Sequence, residues 1–191
     1  MRALDIEIDN WRDRREKLGD GAVGRKGEDV IRQGQNIAAL LREELPARVQ
    51  HGMDFGCGWG RFTPLLASVC GHVWVVDVLE SWISRAVDSA LNVTGLCLTD
   101  VVIPVETASM DLVVDIMTLQ GIKDQTVHLK ICKELHRIAA PGAKFMSLAL
   151  SSDPLCDRRL KLLDVKLTAN VKSTTIDHVN DEYSLWVGTK R

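Results

Sequence analysis

The period of the hydrophobic positions changes along the chain, and each change marks an element. Residues 1–20 are polar and helical in character, with Trp11 set among Arg12, Asp13, Arg14, Arg15 and Glu16. Gly19, Gly21, Gly24 and Gly27 then break the pattern and predict a mobile loop. A helix is predicted over Glu28–Glu44, with Ile31, Ile37, Leu40 and Leu41 on or near one face and Pro46 as its stop. From there strands and helices alternate. Val49–Phe55 reads as a strand, Phe62–Val69 as a helix, and the apolar run His72–Val78 as a strand buried on both faces. A helix over Glu80–Leu91 and short strands near Gly95–Thr99 and Leu112–Ile116 follow. The helix Gln125–Ile138 carries Leu129, Cys132, Leu135 and Ile138 on one stripe, and Pro141-Gly142 turns the chain into the strand Lys144–Leu150.

Strands and helices alternating at these lengths predict an α/β domain with a parallel, helix-covered sheet. The chain's last part differs. Thr174–Val179 and Tyr183–Gly188 are β-type runs parted only by Asn180, Asp181 and Glu182, so they are expected to form an antiparallel hairpin. Residues 46–191 are read as one core domain and residues 1–45 as an N-terminal helical extension. Two readings of the extension stand. It is a lid, with glycine hinges, Trp11 and the pair Arg25-Lys26, or it is a helix packed at the sheet edge.

Composition narrows the class. The chain has 191 residues, 46% of them hydrophobic and 26% charged, which suits a globular core and excludes wholesale disorder. A net charge of −2 does not describe a strongly basic nucleic-acid module. Residues 51–122 hold two basic and eight acidic side chains, so the middle of the chain is acidic. No apolar run nears the roughly 20 residues that span a bilayer. Met1–Arg15 has no apolar signal core, and the five cysteines are odd in number and irregularly spaced, so a cytoplasmic protein with reduced thiols is expected.

The strongest local signal is Asp54-Phe55-Gly56-Cys57-Gly58-Trp59-Gly60-Arg61, between a predicted strand and a predicted helix. Glycines let backbone approach a ligand closely, and the helix behind them offers unpaired N–H groups. A dinucleotide fingerprint would need glycine where Arg61 stands, three residues after Gly58. Other chemistries find no anchor. Gly-x-Ser-x-Gly, a Walker loop and a Cys-x-x-Cys pair are all absent from the sequence. His128, Cys132 and His136 share a helical face, but eight residues at 1.5 Å rise span about 12 Å, too far for one metal ion. No metal site is expected.

The spacing Asp-x-Gly-x-Gly-x-Gly resembles the class I S-adenosylmethionine-dependent methyltransferases. The resemblance continues through Asp77 after Val73-Trp74-Val75-Val76, Asp100 in Leu98-Thr99-Asp100-Val101, Ser109–Val114 with its exit Asp115–Gln120, the Pro141-Gly142 turn and the closing Tyr183–Lys190 run. It implies a Rossmann-like three-layer sandwich, with a mostly parallel seven-stranded sheet, a reversed last strand and helices on both faces. It also implies S-adenosyl-L-methionine as cofactor. Its binding residues would be Asp54, Gly56, Cys57, Gly58, Trp59 and Gly60 in the loop, Asp77 and Val78 at the ribose, Asp100 and Val101 at the adenine, and Asp115 and Ile116 beside the amino-acid tail. Trp59 and Trp82 are the tryptophans placed to touch it. Many members carry a histidine where Gly121 stands, so a side-chain role there is lost in this chain.

The reaction implied is an in-line displacement, which needs alignment and exclusion of water more than it needs a base. No catalytic residue is singled out. The Pro-Pro-aromatic signature of exocyclic-amine base methylation and the Pro-Cys of cytosine-C5 methylation are both absent, so a small-molecule acceptor is expected. The stretch Arg158-Arg159-Leu160-Lys161, with Lys166 and Lys172, keeps a nucleic-acid or protein acceptor open. A cofactor-binding subunit without catalysis and a nicotinamide-dependent oxidoreductase are the rival readings.

Overall fold

The computed structural model describes residues 3–18, 28–152, 161–173 and 182–191. Helices α1 (Ala3–Leu18) and α2 (Glu28–Glu44) precede strand β1 (Val49–Phe55). Helix α3 (Thr63–Val69), strand β2 (Cys70–Asp77), helix α4 (Glu80–Val87), and strands β3 (Val93–Cys97) and β4 (Met110–Ile116) follow. A single 3-10 turn at Leu119–Gly121 leads to helix α5 (Gln125–Ile138) and strands β5 (Ala139–Leu150), β6 (Val165–Ser173) and β7 (Tyr183–Lys190). The sheet has seven strands in the order β3-β2-β1-β4-β5-β7-β6. β1 pairs parallel with β2 and β4, whereas β7 runs antiparallel to both β5 and β6.

Strand residues alternate between two apolar layers, as a sheet covered on both faces requires. Leu112 and Val114 of β4, with Met146 and Leu148 of β5, pack towards Ile37 and Leu41 of α2, Leu66 of α3 and Ile83 of α4. Val113 and Phe145 point the other way, towards Val127, Ile131 and Leu135 of α5 and Leu4 of α1. The result is the three-layer α/β sandwich with one reversed strand that the family resemblance implies.

Several sequence expectations shift. The buried stripe of α5 is Val127, His128, Ile131, Cys132, Leu135 and Ile138, and Leu129 is only half-buried. His128 and Cys132 therefore belong to the core face. Helix α4 stops at Val87, short of Leu91, because Asn92 turns inward to donate its side-chain amide to the carbonyls of Ala67 and Cys70. The strand beside β7 is β6, Val165–Ser173, so the hairpin partner expected at Thr174–Val179 is not the one observed. Residues 174–179 themselves lie outside the described residues. Pro141-Gly142 sits within β5, where Met110 pairs with Ala139 but Leu112 pairs with Lys144. The extra residues loop out of the ladder there, and Gly142 takes φ +82°.

Helix α5 starts at a defined cap. The Asp124 carboxylate accepts from the N–H groups of Thr126 and Val127 at 2.8 and 2.9 Å. Asp124→Ala is expected to lower stability by about 1 kcal/mol, measured as a fall in the urea midpoint at constant slope.

Candidate functional site

β1, β2 and β4 end side by side, and the loops leaving their carboxyl ends enclose a cavity of about 720 Å³. After β1 the chain turns sharply. The N–H groups of Gly56 and Cys57 both donate to the Val76 carbonyl, and Gly56, Gly58 and Gly60 have φ of +71°, +54° and +87°. Two of these glycines are sterically required. A Cβ on Gly56 would lie 2.0 Å from Thr118 Oγ1, and one on Gly60 would lie 2.6 Å from Ala86 Cα.

Two carboxylates floor the cavity. Asp54, at the end of β1, is 2% exposed and accepts from the Thr63 hydroxyl at 2.8 Å. Burial is the main cause that pushes its pKa up to about 7, with the neighbouring Asp77 and Asp115 adding to it. Asp77, at the end of β2, holds the glycine loop. Its Oδ2 accepts from Gly58 N–H at 2.9 Å, and its Oδ1 accepts from Val78 and Leu79 N–H at 2.7 and 3.2 Å. Burial raises its pKa against the lowering effect of those three donors. Arg61 also lines the cavity, donates to Gln33 Oε1 at 3.2 Å, and is pushed down to about 10, chiefly by burial. Burial likewise pushes the Cys57 thiol up, so it is a packed thiol and not a nucleophile.

Of the residues singled out from sequence, Asp54, Gly56, Cys57, Gly58, Trp59, Asp77, Val78 and Ile116 come together on the cavity wall. Four do not. Gly60 packs behind the loop on Ala86. Asp100 is exposed, with one oxygen accepting from Val101 N–H at 2.6 Å, and neither it nor Val101 reaches the wall; Leu98 lines it there. Asp115 stands just behind the wall as a structural cap. Its Oδ1 accepts from Thr118 and Leu119 N–H, both at 3.0 Å, and its Oδ2 from the Ser147 hydroxyl at 2.7 Å. Trp59 and Trp82 both line the cavity.

Beyond Trp11, which the sequence singled out for a lid, much of the rest of the cavity wall was missed. Leu4, Glu7, Trp11 and Arg14 of α1 line it, joined by Gln33 of α2 and by Gln120 and Lys123 after β4. The signal was the 3-4-3 spacing of those four α1 residues, which places them on one helical face.

These residues fit an adenosyl amino-acid ligand. The strained loop brings backbone close to the cavity, and the acidic floor suits an ammonium group and a ribose. Trp59 lines the cavity, and its buried indole N–H has no hydrogen-bond partner among the described residues. Such a donor is costly to leave unpaired.

Known proteins agree with this geometry. A profile described as "Methyltransferase domain" matches residues 53–147, from the end of β1 into β5. No curated protein is recognisably similar to the chain. Among solved structures, the Burkholderia thailandensis 1,6-didemethyltoxoflavin-N1-methyltransferase is similar over 100% of this chain and 91% of its own, with TM-score 0.77 and 17% identity. The Bradyrhizobium japonicum N-methyltransferase NodS, in complex with S-adenosyl-L-homocysteine, covers 83% of this chain and 85% of its own, with TM-score 0.66 and 21% identity. A TehB-like methyltransferase from Corynebacterium glutamicum covers 98% of this chain and 100% of its own, with TM-score 0.66 and 18% identity. At these identities the structures speak for the fold. With the profile match and the cavity at the glycine loop, they establish that the chain belongs to the S-adenosylmethionine-dependent methyltransferase family.

Proposed function

We propose that this methyltransferase acts on a small-molecule acceptor, bound between the glycine loop and α1. The observation that carries the proposal is the roof over the cavity. The α1 face Leu4, Glu7, Trp11 and Arg14 forms part of the wall of a cavity of about 720 Å³, the size of a small-ligand site. The similar Burkholderia enzyme, which carries a bound small molecule, matches this chain over its whole length. Of the basic side chains that kept a nucleic-acid acceptor open, Arg158 and Arg159 lie outside the described residues. Lys166 and Lys172 lie on β6, at the sheet edge beyond β5 and β7, and Lys172 is paired with Glu182 at 2.9 Å.

S-adenosylmethionine supplies an activated methyl on sulfur. The chain's residues bind and align. Asp54 faces the ammonium of the amino-acid tail, Gly56–Trp59 cradle that tail with backbone, and Asp77 accepts from the ribose hydroxyls with the lone pairs its three backbone partners leave free. Helix α1 closes the chamber as a lid and excludes water. Alignment of this kind contributes about 7–11 kcal/mol to a two-centre reaction, and a base is needed only for an acceptor atom that carries a proton of high pKa. The same reading places the enzyme in the cytoplasm, consistent with the buried thiols of Cys57 and Cys70. Among the described residues, no helix is long and apolar enough to cross a membrane.

Titration calorimetry with S-adenosylhomocysteine tests the binding half. Asp77→Ala is expected to weaken binding by about 1–3 kcal/mol, the scale of a lost charge-assisted hydrogen bond. Unchanged affinity removes Asp77 from the site. Tritium from labelled cofactor, offered to fractionated cell extract, is expected in the low-molecular-weight pool. Label found only in RNA or protein overturns the small-acceptor reading.

A further inference from the structure

Glu7 is a carboxylate on a polar helix, yet it is 7% exposed. Burying a carboxylate is costly unless its oxygens are used. Half of the expense is accounted for. Glu7 Oε1 accepts from the backbone N–H groups of Lys123 and Asp124 at 2.7 and 2.6 Å, docking α1 on the N-terminal end of α5. Among the described residues, no group donates to Oε2, and Glu7 lines the cavity. One helical turn on, Trp11 lines the same wall. Its ring lies against Gly121, where an added Cβ would come within 3.0 Å of Trp11 Cζ2. The bare glycine lets the indole settle onto the segment after β4.

The wall therefore pairs an aromatic surface, over which the exposed Arg14 guanidinium stands 5.2 Å from the ring centre, with a hydrogen-bond acceptor, on the β4 side of the cavity. The cofactor acids Asp54 and Asp77 stand on β1 and β2 instead. Of the acids lining the cavity, Glu7 alone is carried by a helix of the roof. Building on the methyltransferase reading above, we infer that Glu7 and Trp11 form the acceptor subsite and select a planar ring that carries an N–H or O–H donor. The donor points to Glu7 Oε2 and the ring lies on Trp11. A ring of the same shape with the donor removed leaves the carboxylate desolvated and unpaired, which is the strongest kind of discrimination a small site provides.

Matched rings test this. Indole and benzofuran have nearly the same shape and differ by one N–H donor, and both are neutral at mildly alkaline pH. With saturating S-adenosylhomocysteine, the wild-type protein is expected to bind indole at least about tenfold tighter than benzofuran by calorimetry. In Glu7→Gln the amide oxygen still accepts from Lys123 and Asp124, so α1 stays docked, but an NH₂ group now faces the cavity. The preference is then expected to vanish or reverse. Trp11→Ala is expected to weaken both rings and leave their ratio unchanged. Equal affinities in the wild type overturn the inference, as does an unchanged ratio in Glu7→Gln, or no binding of either ring to the loaded protein. The wild-type ratio decides the case even if the variant fails to fold. If S-adenosylhomocysteine itself does not bind, the cofactor site falls and this subsite with it. If it binds and the rings are not distinguished, only the role of Glu7 falls.

Discussion

Replacing Gly60 with alanine is expected to lower stability by about 3 kcal/mol or more, although Gly60 touches no part of the cavity wall. Two penalties combine. A non-glycine residue at φ +87° carries a left-handed strain of about 1–2 kcal/mol. The new methyl would also stand 2.6 Å from Ala86 Cα and 2.9 Å from Ala86 Cβ, and overpacking of this sort costs about 1–3 kcal/mol. No rotamer relieves the clash, because its target is the backbone of α4. The relaxed alternative pushes the glycine loop away from α4, which also disturbs Gly58 and its bond to Asp77. Gly34 supplies the opposite case. It lies inside α2, and an added Cβ meets nothing within 4 Å. Gly34→Ala is expected to raise stability by about 0.5–1 kcal/mol. Urea midpoints of the two variants should move in opposite directions. A loss below about 1 kcal/mol in Gly60→Ala would show that the loop is free to move off the helix.

The second large effect is a pH dependence centred on Asp54. Its carboxyl titrates at about 7 in the folded protein, against 3.8 ordinarily, chiefly because it is buried. Below about pH 4 both states hold the proton and the group is neutral in the balance. As pH rises towards 7, the unfolded chain ionises while the folded one keeps its proton, so stability falls. Above about pH 7 the loss is complete and amounts to about 4 kcal/mol. Asp54→Asn is expected to remove that slope, read as the pH dependence of the denaturation midpoint from 4 to 8. In the proposed binding mode a ligand ammonium prefers the ionised carboxylate. S-adenosylhomocysteine affinity is therefore expected to rise from pH 6 to 8 in the wild type and to stay flat in Asp54→Asn. A flat wild-type profile would mean that the ammonium is held by other groups.

Local chemistry was legible in the sequence, and docking was not. The glycine loop, its flanking acids and the strand–helix alternation depend on neighbours within a few residues, and they fold as read. Strand β6 was overlooked because Lys166 and Lys172 drew notice as charges. Their alternation with Val165, Leu167, Ala169 and Val171 is a strand pattern with a solvated edge face. On the α5 stripe Cys132, Leu135 and Ile138 are buried as expected, whereas helix geometry puts His128 inside in place of the more hydrophobic Leu129. Asp115 was recognised as an important acid, but its oxygens are spent on Thr118, Leu119 and Ser147. The spacing of Glu7 with Leu4, Trp11 and Arg14 shows a shared helical face, but not what that face meets. The role of Glu7 depends on bonds to residues 116 and 117 positions away, and only packing of α1 on α5 creates them.

Thr118 and Gly56 fill each other's space. The threonine methyl and hydroxyl occupy the volume a Gly56 side chain would need, and that hydroxyl donates to the Gly56 carbonyl at 3.2 Å. Neither segment can shift alone. In the proposed binding mode, the bend at the methyl donor and the bend beside the acceptor therefore share one contact. Any coupling that this contact carries between the two ligands is reciprocal, changing both affinities by the same factor.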